Sequence, residues 1–276
     1  SLINIFLGLI IGLLIKKITS EVSLTTTLFY RFLLSLPILF VFAIYTRGKS
    51  IFLITRKRAL AVRIVFGFAG MVFWVTSVRN LPLGQATALF QSSVIFVTIL
   101  SPFFLNENIG FYRWGSVVFG LVGVLIITDP FSGNLTYHIL YGILAAISAA
   151  VLSISLRRLG KNDYPASVAF IYNLAGTLVM ACVIIIYPME AQVSLKETWI
   201  YLCLLGIFTS LSQIFLTSAY YHADAVVVMS MRYVQVPLAG IAAYFIFSEK
   251  MTFFEIFGAI IIISSCLIIA WRERRR

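Results

Sequence analysis

Apolar residues run through this chain in blocks of similar length, separated by short stretches rich in bases, proline, asparagine and glycine. Cutting at those stretches leaves apolar segments at about 2–15, 24–45, 60–78, 84–104, 112–128, 138–156, 165–187, 198–220, 225–247 and 252–271. At 1.5 Å per residue, about 20 residues cross a hydrocarbon layer about 30 Å thick. The pattern therefore predicts an all-α, polytopic membrane protein with about ten transmembrane helices. Strands of a membrane barrel would alternate polar and apolar positions, and these unbroken runs exclude them. The first segment is short for a full span: either its beginning is missing, or it crosses with Lys16 and Lys17 at its end reaching toward the headgroups.

Composition agrees with lipid as the main solvent. Hydrophobic residues make up 61% of the 276 positions and charged ones 11%, against roughly 45–50% and 25% in soluble domains. A net charge of +11 would point to nucleic acid in a soluble protein, but here the bases gather in loops and in the tail, the placement that Lys and Arg take on the cytoplasmic side of a membrane protein. With the N-terminus inside, fourteen of the 21 bases fall on the inner side, Arg56, Lys57, Arg58 and Arg63 among them. Five fall outside: Lys16, Lys17, Arg79, Lys196 and Lys250. Both termini are expected in the cytoplasm. The two bases left over, Arg31 and Arg232, lie within predicted helices. Trp114, Trp199 and Trp271 sit near segment ends and read as headgroup-level residues, whereas Trp74 lies well inside its segment. Cys182, Cys203 and Cys266 have no metal-ligand spacing and read as small buried hydrophobes.

Sliding the sequence on itself by 142 positions brings Tyr30-Arg31 onto Tyr172-Asn173, Ser35 onto Thr177 and Glu107 onto Glu249. A shift of 141 brings Thr76-Ser77 onto Thr217-Ser218. Each match is weak alone, but they share an offset. The two halves, residues 1–130 and 137–276, would hold five helices each, and an odd number makes the second copy enter the membrane from the opposite side. Inverted repeats of this kind are a recurrent plan of secondary transporters, in which two halves rock about a central site.

The five-plus-five pattern, the YRFLLSLP stretch from Tyr30 to Pro37, the FFLNENIGFYRWGSVVFGLVGVLII stretch from Phe103, and Pro237, Glu249 and Gly258 in the second half resemble the drug/metabolite transporter superfamily, in its branch built from two EamA-type repeats. Ile95 departs from the proline that the family often carries there. The arginines in YRFLL and MRYVQVPLAG are also similar to those of the S-adenosylmethionine permease branch. The resemblance implies a permease of the plasma membrane, the inner membrane of a bacterium, moving a small metabolite without a cofactor, as a monomer or homodimer.

An arginine at the middle of a membrane helix costs about 2.5–3.5 kcal/mol on insertion scales. Arg31 and Arg232 should therefore face protein, water or a ligand, and a guanidinium pairs with a carboxylate in a forked geometry. Thr27, Arg31 and Ser35 share one helix face, Asn173 and Thr177 repeat part of that stripe, and Arg232, Tyr233 and Gln235 lie together on the ninth segment. Gln91, Gln213 and Trp74 complete the candidate substrate site. Any single Ser, Thr or Gln of this set reads first as interhelical bracing, and only the convergence of several favours a site. His138 and His222 are remote from each other, and no nucleophile or metal motif surrounds either. A lipid-modifying membrane enzyme is thereby disfavoured, and a passive channel or receptor stays as the other alternative. No acidic residue is expected to be buried.

Overall fold

The computed structural model describes residues 2–19, 21–105, 110–128, 137–160, 163–187, 193, 196–248 and ten positions between 253 and 268. Glu107, Glu249, Cys266 and Trp271 lie outside the described residues. The described residues are helical, with no strand among them. The helices are α1 (Leu2–Ile18), α2 (Leu24–Arg47), α3 (Lys57–Asn80), α4 (Leu83–Gln91), α5 (Ser93–Leu105), α6 (Phe111–Thr128), α7 (Tyr137–Gly160), α8 (Pro165–Ile186), α9 (Lys196–His222), α10 (Ala225–Met231) and α11 (Gln235–Phe247). Six are long and apolar enough to cross a membrane, counting α4 and α5 as the single span Leu83–Leu105.

Local chemistry sets the ends. The Ser23 hydroxyl accepts from the Thr26 amide at 3.1 Å and caps α2. α2 stops where Gly48 takes φ +57°, and Pro165 opens α8 at its first turn. The spans predicted as unbroken at 84–104 and 225–247 are each interrupted near their middle. Ser92 separates α4 from α5, and Arg232–Val234 forms a 3-10 turn between α10 and α11. Backbone angles stay right-handed at both places, so each is a tightened turn inside a span, of the kind that marks hinges in long helices.

Packing follows the offset of 142. Adding it to the bounds of α5 gives those of α11. α1 packs on α9 and α3 on α7, α2 packs on α8, and α4 packs on α11 while α5 packs on α10. Close approach needs small residues. A methyl group at Gly176 would meet the Phe32 ring at 2.6 Å, and one at Gly206 would meet Leu34 at 2.5 Å. Asn4, buried on α1, donates to the Ser212 carbonyl at 2.9 Å and to its hydroxyl at 2.8 Å, which ties α1 to α9.

Polar contacts gather at two opposite ends of the bundle. At one, Arg79 donates to the carbonyls of Thr19 (3.0 Å) and Val22 (2.9 Å), and Glu21 accepts from Thr198. Lys16 donates to the Leu81 carbonyl at 2.9 Å instead of reaching for headgroups, because it lies within the last turn of a helix that extends past the predicted boundary. At the other end, Asp163 accepts from the amides of Thr55 (2.6 Å) and Arg56 (3.2 Å), and Arg157 pairs with Asp224 at 2.9 Å. Asp163 is 2% exposed, which corrects the expectation of no buried acid; backbone donors at the start of α3 satisfy it.

The outer surface is apolar, with Phe119, Leu140, Ile207 and Ile241 among its exposed side chains. Such a surface is stable only against lipid. Cys182 and Cys203 lie on it, exposed, contrary to the buried reading. A lipid-facing position is as apolar as a buried one, so composition could not separate them.

Candidate substrate cavity

Three arginines converge inside the bundle. Arg31 lies seven residues beyond the start of α2, Arg63 six beyond the start of α3 and Arg232 seven beyond the start of α10. At 1.5 Å per residue each is about 9–11 Å into its span, roughly a third of the way across a hydrocarbon core about 30 Å thick. They line one cavity of about 100 Å³, with Trp74, Gln213 and Gln235. Arg31 is 4% exposed and Arg63 1%. No acidic side chain lines the cavity among the described residues.

Each guanidinium is held by aromatic faces more than by hydrogen bonds. Arg31 lies 5.1 Å from the Phe32 ring centroid, Arg63 4.4 Å from that of Tyr172, and Arg232 5.2 Å from that of Phe90. Such contacts stabilise a desolvated cation by about 2 kcal/mol. The Tyr172 hydroxyl also sits against Arg31, so one tyrosine is shared by two cations. Arg63 donates to the Gln213 carbonyl oxygen at 2.7 Å. The remaining capacity is large: Nε and Nη1 of Arg31 and Nε of Arg63 and Arg232 have no hydrogen-bond partner. A buried donor left so costs about 1–3 kcal/mol, more when charged. Three guanidinium groups thus share one cavity with no acidic side chain among its described lining.

Of the residues singled out from the sequence, Arg31, Trp74, Gln213, Arg232 and Gln235 line the cavity together. Gln91 stands behind them and donates to the Gln235 carbonyl oxygen at 3.1 Å, which joins the tightened turns of the two interrupted spans. Asn173 is buried between α2 and α8, accepting from Ser35 at 3.0 Å and donating to the Ala169 carbonyl at 2.9 Å. Tyr233 is fully buried, its ring against Gly120. Neither is among the residues lining the cavity.

Arg63 and Tyr172 were not among the candidates. The charge count groups Arg63 with the loop bases because the predicted segment begins at about 60, whereas α3 begins at Lys57. The signal was nonetheless present: Arg63, Gly67, Gly70 and Trp74 recur at helical spacing, and all four line the cavity. Gly67 leaves the space in which Tyr172 inserts, since a methyl group there would meet the ring at 2.8 Å.

The sequence pattern of the EamA-like transporter family matches residues 2–129 and again residues 136–271. The chain belongs to the EamA-like transporter family. It is similar to the S-adenosylmethionine uptake transporter of Rickettsia felis, with 34% identity over 250 residues, 90% of this chain and 83% of that one. It is 28% identical over 209 residues to the pseudopaline exporter CntI of Pseudomonas aeruginosa, covering 75% of this chain and 73% of that one. A riboflavin transporter of Rhizobium johnstonii is 28% identical over 219 residues, 78% of this chain and 70% of the relative. One solved crystal structure covers 99% of this chain and 98% of its own, at a TM-score of 0.73 and 17% identity, a likeness of fold. As a member of this family the chain is an integral membrane protein and a permease of the drug/metabolite transporter superfamily.

Proposed function

We propose that this permease carries a small, carboxylate-bearing metabolite by alternating access, with Arg31, Arg63 and Arg232 as its anion-binding groups. The observation that carries the reading is the cavity inside the bundle with three guanidinium groups and no acid among its described lining. An amino acid or S-adenosylmethionine is the cargo to test first, the latter because relatives at 32–34% identity are named for it.

Two inverted repeats of five spans each, residues 1–130 and 137–276, form the moving parts. The match in bounds between α5 and α11 and the exchange of α1–α9 packing for α3–α7 packing support this reading. The tightened turns, linked through Gln91 and Gln235, lie where one half would rock on the other. The base-rich end that holds Arg56, Arg58 and Arg157 faces the cytoplasm of a bacterial cell, with both termini on that side. The protein works as a monomer or homodimer, and its described cavity supports binding and release rather than a chemical step.

Counterflow in proteoliposomes tests this. Substrate trapped inside at high concentration should drive transient accumulation of labelled substrate, which a channel, a receptor or an enzyme does not produce. Methyl esters of the cargo should compete poorly with the parent acid. Equal competition by ester and acid overturns the carboxylate reading. For orientation, Glu197→Cys should react with an impermeant thiol reagent from the outside of intact cells, and a C-terminal reporter active only in the cytoplasm should be active; reversed labelling overturns the topology.

A further inference from the structure

A second space lies beside the central cavity. It measures about 290 Å³ and sits between α3, α5 and α7. Its apolar walls include Val62, Leu100 and Ile154, and two arginines, Arg58 and Arg158, belong to its lining. Both stand toward the base-rich end: Arg58 is in the first turn of α3 and exposed, and Arg158 is in the last turns of α7, donating to the Phe104 carbonyl at 2.8 and 3.1 Å. No acid lines this space among the described residues. Phe66 is the one described residue that the two linings share. Along α3, Arg58, Val62 and Phe66 succeed one another at four-residue spacing and face the outer space, and Arg63 and Gly67, one position on, face the cavity.

We propose that this space is the loading vestibule for the anionic cargo on the base-rich side, and that the Phe66 ring is the door between it and the central cavity. The proposal rests on the anion-transport reading above and adds a route and two recruiting residues to it. Arg58 and Arg158 set up a positive potential at the mouth, and low-dielectric walls focus such a field inward, so an anion is concentrated there before it meets Arg63. Phe66 is 37% exposed and meets both spaces, so rotation of one ring changes the width of the passage without unfolding a helix. An apolar door suits this position because it holds the anion only in passing, leaving the strong contacts to the arginines beyond it.

Thiol labelling tests the route without knowledge of the cargo. In the full chain, with Cys182, Cys203 and Cys266 replaced by serine, one cysteine is placed in the vestibule (Val62→Cys) or in the cavity beyond the door (Ala149→Cys). The detergent-solubilised protein is then exposed to an anionic sulfonatoethyl or a cationic trimethylammonioethyl methanethiosulfonate. Both sites should react faster with the anionic reagent, by roughly tenfold at low ionic strength. Phe66→Trp should slow labelling of Ala149→Cys at least fivefold and Phe66→Ala should speed it, each leaving Val62→Cys within a factor of two. Arg58→Gln with Arg158→Gln should abolish the preference for the anion at Val62→Cys, and the corresponding lysines should restore it. The proposal is overturned if Ala149→Cys is unreactive, if its rate ignores the residue at position 66, or if the vestibule prefers the cation. A phospholipid seated in the groove with its phosphate on the two arginines gives the second of these results. Counterflow on the same proteins separates the two ideas, because absence of exchange with every carboxylate tried removes the transport reading while the labelling route stands or falls by its own rates.

Discussion

Helices α2 and α8 carry the same pair of positions, 142 residues apart, and use them in opposite ways. On α2, Tyr30 turns outward onto Trp199, with ring centroids 4.9 Å apart, and Arg31 turns into the cavity. On α8 the tyrosine, Tyr172, turns into the cavity, and Asn173 turns toward α2 to meet Ser35. Asn173 spends its amide inside the protein, whereas Arg31 keeps Nε and Nη1 without partners. A rotation by about one position separates a residue that braces two helices from one that lines the cavity. A shared offset identifies matching places along the chain, and the surroundings of each place depend on which way its helix is turned.

The largest test of that contrast is Arg31→Lys, with Arg232→Lys beside it. Each should lower transport kcat/KM by roughly 10- to 150-fold, the equivalent of losing a charge-assisted hydrogen bond of about 1.5–3 kcal/mol, while inserted, monodisperse protein is retained. An ammonium cannot reproduce the forked contact. Near wild-type rates for both would mean that these guanidinium groups only brace the bundle. Arg63→Gln should behave like the two lysine variants if all three cations hold one cargo.

Gly67→Ala comes next. Its methyl group would displace the Tyr172 ring that stands between Arg31 and Arg63, so KM should rise several-fold, in keeping with about 1–3 kcal/mol of overpacking. Asn173→Ala should lower thermal stability by about 1–3 kcal/mol through the buried groups it leaves unpaired, with KM changed less than twofold. A KM effect as large as that of Arg31→Lys would erase the distinction between the two helices. The smallest expected effect is that of Gln91→Ala, which removes one interhelical hydrogen bond, worth about 0.6 kcal/mol in a membrane. Its mark should be a changed exchange rate at unchanged affinity.

Much of the candidate site was legible because charge inside an apolar run is conspicuous. Arg31 and Arg232 stand out against any window of their segments, and both line the cavity. Arg63 was hidden by a boundary error of three residues, which placed it near the headgroups rather than a turn and a half into the membrane. Gln91 and Asn173 were assigned correctly to the interior, but partners 144 and 138 positions away in sequence, Gln235 and Ser35, take up their polar groups. Only distance in space shows that.

The amino-acid sequence is enough to place this chain in lipid, to locate its apolar blocks, and to require that two cations find a partner inside. Those follow from transfer free energies, which belong to each residue and add along a segment. The direction in which each helix is turned, and with it the meeting of Arg31, Arg63 and Arg232 at one cavity, comes from the packing of the helices. In water a helix advertises its inner face by polarity. In lipid the outer face is as apolar as the core, and orientation is left to the fit of Phe32 against Gly176, Leu34 against Gly206 and Tyr172 against Gly67.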